Sequence, residues 1–243
     1  YTTALEGKWH PAVFLPAKWY GFTERFGGLA TSAEEMWITD TSRTWEFLER
    51  NKDTRFYLEM NFMNNHRDPY GRMTFAEDFP VNPEAVVVPD YWALPDWPEI
   101  RDDIARYYSQ TMEMDRLIGE VLDMLDELGL AENTFVSFLS DNGPQMPGHI
   151  MALYDRGVQT PLLMRWPKRI PAGVDYDGLV STVDLMPTFL DAVGLEIPDD
   201  VQGVSLLPVI TGEETGAVRD AVFLEMDYHV YSIPTRGVRT ERY

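Results

Sequence analysis

Phe135–His149 reads FVSFLSDNGPQMPGH. An apolar run, Phe135 to Leu139, stops abruptly in Ser140-Asp141-Asn142-Gly143. Runs of this kind occur in strands buried on both faces. Upstream, AENT (Ala131–Thr134) makes a turn. Before it, Ile104, Tyr108, Met112, Asp115, Ile118, Leu122 and Leu125 follow a three-to-four spacing, and Tyr107, Met114, Leu117, Val121 and Leu128 widen the stripe. That spacing predicts a helix beginning near Glu99 and stopped by Gly129. Helix, turn, buried strand and polar loop make half of a βαβ unit. Ligands of open parallel sheets gather just beyond the carboxyl ends of strands. Asp141 and Asn142 are therefore expected at the C-terminal end of a central parallel strand.

Outward from this stretch, the alternation continues. YTTALEGKWH (Tyr1–His10) reads as a short strand, Tyr1 to Leu5, leading to a break at Gly7. An aromatic and glycine-rich loop through GFTERFGG follows. TSRTWEFLERN predicts a helix with Thr41 or Ser42 as N-cap, and RFYLEMNF (Arg55–Phe62) a strand. From NNHRDPYG to LPDWP runs a long stretch dense in Pro and Asp, of the length that is usually functional or disordered. TPLLMRWP is strand-like, VDLMPTFLDAVGL is a short helix ending at Gly194, and DAVFLEM and RGVRTER are late strands. The pattern predicts an α/β fold with a mostly parallel central sheet and helices on both faces.

With 243 residues, 44% apolar and 13% aromatic, the chain has a globular composition and enough length for a buried core. No apolar run is long enough for a membrane span. A net charge of −20 argues against non-specific binding to nucleic acid or anionic lipid. The cations are lopsided, 4 Lys against 16 Arg; acid excess with scarce lysine suits solubility in high salt, where self-repulsion is screened. The absence of Cys excludes disulfides, thiolate metal sites and a cysteine nucleophile within this chain.

Asp141 and Asn142 offer two hard oxygen ligands suited to Ca²⁺ or Mg²⁺, although Asp and Asn before Gly are equally good turn formers. Two ligands do not complete such a site. Lys8 and His10, two apart in an extended segment, point to the same side and can converge on one anion; a solvated lysine and a packed histidine fit the same pattern. His66, beside Arg67 just past another strand end, is either a loop histidine or a third polar group for the site. His149 lies seven residues after Asn142, and His229 near a late strand. A doubly wound sheet brings three such strand ends to one edge.

These residues together resemble the sulfatases. GKWH followed by GF and FGG, the strand ending in Asn65-His66-Arg67, ENTFVSFLSDNG, LYDRGVQTPLLMRWPKRIPAG, LVSTVDLMPTFLDAVGL and QGVSLLPVITGE match that family in order and spacing over most of the chain. The flavour is most similar to the branch that includes heparan N-sulfatase. The resemblance implies an alkaline-phosphatase-like α/β fold and hydrolysis of sulfate esters or sulfamates, on a sulfated small molecule or glycan. It further implies a formylglycine nucleophile and one Ca²⁺, with two early aspartates and an Asp-Asn pair as ligands. Carried over by position, Asp141 and Asn142 would be calcium ligands and Lys8, His10 and His66 catalytic groups. Arg67 and His149 would contact substrate.

Three departures accompany the resemblance. No Cys/Ser-x-Pro-x-Arg is present, and the early aspartate pair would precede Tyr1. The chain is accordingly expected to be a piece of a longer protein, inactive by itself. Ile150 stands where the family has a sulfate-binding lysine, and His149 beside it is the expected substitute. A phospho- or phosphonate-ester hydrolase of the same superfamily, and a non-catalytic glycan-binding descendant, remain open alternatives.

Overall fold

A computed structural model describes residues 1–8, 17–26, 38, 40–68, 70–228 and 232–243. The chain divides into two compact units, Tyr1–Ala131 with Pro144–Pro147, and Glu132–Gly143 with Gly148–Tyr243. His10 and His229 lie outside the described residues.

The first unit is built on three parallel strands, β1 (Thr2–Gly7), β2 (Glu24–Phe26) and β3 (Phe56–Asn61), in the order β2-β1-β3. The register sets Glu6 opposite Phe26 and Gly7 opposite Asn61, so β1 and β3 end side by side. Strand β1 runs two residues beyond the expected Leu5. It ends where Gly7 takes φ +82°, a conformation that costs a side-chain-bearing residue strain. A Cβ at Gly7 would also collide with the Asn61 carbonyl oxygen.

Helix α1 (Ser42–Asn51) carries Phe47, fully buried between Phe26 and Phe56 at ring separations of 5.7 and 5.8 Å. Of the two expected N-cap residues, Thr41 holds the cap position but does no capping. Asp40 Oδ1 accepts the Ser42 N–H at 3.0 Å instead, and Thr41 Oγ1 donates to Glu120 Oε2 at 2.7 Å. Helix α2 (Pro98–Glu127) begins with proline, which has no N–H to leave unsatisfied there. It ends as the sequence predicts: Gly129 adopts φ +68° and the Leu130 N–H reaches the Leu125 carbonyl at 2.8 Å.

The buried face of α2 is more polar than its apolar stripe suggested. Ser109 and Gln110 are buried, and Met112 is 47% exposed. The reason is tertiary. Ser109 Oγ accepts the Ala76 N–H at 2.9 Å and donates to the Ala76 carbonyl, while Gln110 bridges Asn64 and Thr74. These bonds anchor the long Pro- and Asp-rich stretch. Further along, that stretch buries Val86 and Trp92 against Ile104, Ala105 and Met146, so it is a packed element.

The second unit contains β4 (Val136–Leu139), α3 (Asp155–Val158), β5 (Leu162–Arg165), α4 (Leu185–Ala192), α5 (Leu207–Ile210) and the hairpin of β6 (Ala221–Tyr228) with β7 (Ser232–Thr240). Among the described residues, β4 pairs antiparallel with β5, Val136 opposite Arg165 and Leu139 opposite Leu162. That differs from the expected central, buried parallel strand: β4 belongs to a two-stranded sheet and is half-buried, with Leu139 exposed. The connection from β4 to β5 holds only a four-residue helix, whereas a parallel return ordinarily needs a full crossover helix. The parallel pairing of the fold resides, as described, in β1–β3. Phe135 stacks on Trp166 at 5.5 Å and meets Phe189 of α4 edge-on, tying strand to helix.

Candidate functional site

In the first unit the candidate residues Lys8, His66 and Arg67 follow the ends of β1 and β3, which lie side by side. Lys8 follows Gly7 directly, and its backbone N–H donates to the Asn61 carbonyl at 3.0 Å, fixing the two strand ends to each other. His10, its expected companion, lies outside the described residues. After β3 the chain turns tightly: the His66 N–H donates to the Met63 carbonyl at 3.0 Å, and Asn65 takes φ +73°, which asparagine tolerates better than other side-chain-bearing residues.

Helix α2 holds this turn. Asn64 Nδ2 donates to Gln110 Oε1 at 3.1 Å, Thr111 Oγ1 to Asn65 Oδ1 at 3.2 Å, and the Arg67 guanidinium forms a two-pronged ion pair with Asp103. Asp103, Gln110 and Thr111 are seven and eight residues apart, two helical turns along one face. A polar stripe at that spacing was the signal for this support, and the apolar stripe drew attention from it.

Arg67 also donates from Nε to the Gln145 carbonyl at 2.8 Å and from Nη1 to the Gly71 carbonyl at 3.2 Å. Its guanidinium is thus engaged by protein groups on several sides. His66 is half-buried. Its Nδ1 lies 2.6 Å from the Arg67 carbonyl and its Nε2 3.2 Å from Gln145 Nε2. Gln145, within the opening stretch but unremarked there, is therefore part of the site's scaffold.

In the second unit, Asp141 is exposed and Asn142 half-buried at the end of β4. Asp141 Oδ1 accepts the Asn142 N–H at 2.9 Å, and Ser140 Oγ donates to the Asn142 carbonyl at 2.8 Å. This is the turn chemistry that the pair was read to have. Asn142 Nδ2 donates to the Gly143 carbonyl at 2.8 Å, which commits the amide nitrogen and leaves the amide oxygen on the other branch. A carboxylate and a carboxamide oxygen form a donor set that suits Ca²⁺. Among the described residues, no group of three or more His, Cys, Asp or Glu side chains is arranged to hold a metal, so these two fit as part of such a site only.

Close backbone approach locks this loop onto α3. The Gly143 N–H donates to the Gly157 carbonyl at 2.8 Å, and a Cβ on Gly143 would collide with the Arg156 carbonyl oxygen. A Cβ on Gly157 would collide with the carbonyls of His149 and Ala152. Thus the approach of SDNG to YDRGV depends on Gly143, and that of YDRGV to residues 149–152 on Gly157. His149 is fully buried and Ile150 half-buried in the segment between them. Asp184, which sequence reasoning passed over, is fully buried, ion-paired with Arg219, and accepts the Ser181 and Val204 N–H groups at 2.8 Å each.

Comparison with known proteins sets these features in a family. The sulfatase family model matches residues 1–195. The chain belongs to the sulfatase family. A second model, the C-terminal region of N-sulphoglucosamine sulphohydrolase, matches residues 150–243, in line with the branch suggested by YDRGVQTP and its neighbours. Arylsulfatase K of Xenopus laevis is 37% identical over 128 residues, covering 51% of this chain and 24% of that protein. The N-acetylglucosamine-6-O-sulfatase of Bacteroides thetaiotaomicron is 33% identical over 148 residues, covering 56% and 26%. This sulfatase-family chain therefore spans about a quarter of the length of these curated relatives. A solved structure, in complex with its substrate D-glucosamine-2-N,6-O-disulfate, superposes with a TM-score of 0.67 at 21% identity. It covers 99% of this chain and 69% of that one, and so shares the alkaline-phosphatase-like α/β fold.

Proposed function

We propose that the protein carrying this chain hydrolyses sulfate esters or sulfamates on sulfated carbohydrate. Membership of the sulfatase family over residues 1–195 carries this reading, because that span includes Lys8, His10, His66, Arg67, Asp141, Asn142 and His149. A relative named as an N-acetylglucosamine-6-O-sulfatase, and a solved neighbour bound to a disulfated glucosamine, favour an amino sugar as substrate.

In this reading Lys8 and His10 neutralise sulfate oxygens, and His66 binds sulfate or delivers a proton to the leaving oxygen. Preorganised cations at developing negative charge are commonly the largest catalytic contribution, and proton delivery adds to it. Asp141 and Asn142 supply two of the ligands for one Ca²⁺, the others coming from sequence outside this chain. Bound Ca²⁺ would contribute fixed positive charge beside the sulfate, and a formylglycine, also from outside this chain, the attacking hydroxyl. Arg67 serves the site by holding the His66 turn to α2, with any substrate contact secondary to that task. His149 lies in the segment where a family lysine is replaced by Ile150.

The test is inorganic sulfate release by the complete protein from glucosamine 2-N-sulfate and glucosamine 6-O-sulfate, with phenylphosphonate monoester as a control. Sulfate release with little phosphonate hydrolysis is expected. Faster turnover of the phosphonate would move the protein to the phosphonate-hydrolase reading, and no turnover of any of them to the non-catalytic one.

A further inference from the structure

We infer that Gln145 is a positioning residue that holds His66 as a neutral imidazole protonated on Nδ1, with the Nε2 lone pair as its acceptor. The inference deepens the proposed function, on which its catalytic consequence rests.

The argument follows from which groups can only donate and which can only accept. The Gln145 side chain has one atom 2.6 Å from the Arg67 backbone N–H. An N–H can only donate, so that atom must be the amide oxygen. The other branch of the same amide, its NH₂, then faces His66 Nε2 at 3.2 Å. An NH₂ can only donate here, so Nε2 must accept and carries no proton. The other ring nitrogen, Nδ1, lies 2.6 Å from the Arg67 carbonyl oxygen, which can only accept, so Nδ1 carries the proton. Both constraints point to the same tautomer. Flipping the amide would set NH₂ against N–H at one end, so the orientation is not adjustable without breaking the bond to Arg67.

The frame that imposes these constraints is itself held. The Arg67 guanidinium is clamped by Asp103 and by the Gln145 carbonyl, and Asp103 stands on the long helix α2. Among the described residues, the charged side chains of this turn include two ion pairs, Arg67 with Asp103 and Asp68 with Arg72.

The consequence concerns proton delivery. A proton arriving at Nε2 competes with Gln145 for one lone pair. For His66 to act as an acid, the Gln145 amide must withdraw or turn, which releases the Arg67 N–H as well. Gln145 thus keeps His66 in its basic, proton-ready state until something displaces it.

The experiment is ¹⁵N NMR of the imidazole nitrogens in the complete protein labelled at histidine, with the His66 signals assigned from a His66→Asn sample. The wild type should show a single neutral tautomer protonated at Nδ1. In Gln145→Glu, a carboxylate accepts from both the Arg67 N–H and an Nε2–H, so the imidazolium should persist to a pH higher by about one unit or more. Gln145→Leu, which cannot donate to Nε2 but leaves the Arg67 carbonyl to accept from Nδ1, should keep the Nδ1 tautomer and let the imidazolium persist to a higher pH than in wild type. A wild type protonated at Nε2, or a Gln145→Glu titration unchanged from wild type, overturns the inference. Because the readout needs no turnover, it stands or falls separately from the sulfatase reading.

Discussion

Glu6 is 5% exposed on β1, two residues before Lys8, with Thr44 Oγ1 donating to its carboxylate. Burial is the largest influence on it and pushes its pKa above the ordinary glutamate value; the Thr44 hydrogen bond and Arg43 oppose this, and Asp40 adds to it. A carboxyl raised in the folded state binds more protons than the unfolded chain does. Its contribution to stability is full below the unfolded value of 4.5 and is lost as pH rises through the folded value. Glu6→Gln keeps an acceptor for Thr44 and removes the ionisation. Its thermal stability relative to wild type should improve as pH rises above the unfolded value and level off once pH has passed the raised folded value. An advantage that does not change with pH would contradict this account. At the same scale, the placement of His66 and Lys8 just past strand ends was legible in the sequence. Gln145 was not, because its role depends on Arg67, 78 residues away in sequence.

At the scale of elements, the helix stops were readable from sequence because their causes are local. Gly129 and Gly194 both adopt positive φ (68° and 71°), and the next residue bonds back across the helix end, Leu130 to Leu125 and Leu195 to Leu190. The buried face of α2 was readable in part: Ile104, Leu117 and Leu125 of the stripe are buried, whereas Ser109 and Gln110 are buried to serve residues 64–76, which no periodicity reveals. The antiparallel return of β4 into β5 was missed for a related reason. An apolar run marks a strand but fixes neither its burial nor the direction of its neighbour: β4, expected to be buried on both faces, is half-buried, and Leu139 is exposed. The dependence between SDNG and α3 is testable here. Gly143→Ala sets a Cβ against the Arg156 carbonyl, a backbone atom that cannot rotate away, and should cost about 1–3 kcal/mol in urea unfolding. Gly173, with open space around its position, makes a control for overpacking, since Gly173→Ala carries only the backbone cost of its φ of +71°, about 1 kcal/mol. Equal losses at both positions would show that the close approach of Gly143 to Arg156 has no energetic weight.

At the scale of the whole molecule, the strand ends of β1 and β3 give the sulfatase reading its framework in the first unit, and the SDNG loop supplies oxygen donors in the second. The −20 net charge makes the proposed cationic groups stand out, since Lys8 is one of only four lysines. A protein so acidic repels anions over its surface generally. Drawing in the proposed sulfated sugar would therefore require locally placed positive charge. The most direct measurement is kcat/KM for sulfate release by the complete protein with Ca²⁺ present, compared with Lys8→Ala and His66→Ala. Each substitution should lower it by on the order of 10²–10⁴-fold while leaving the thermal melt within a few degrees of wild type. Sulfate release that survives both substitutions at near wild-type efficiency would contradict the account.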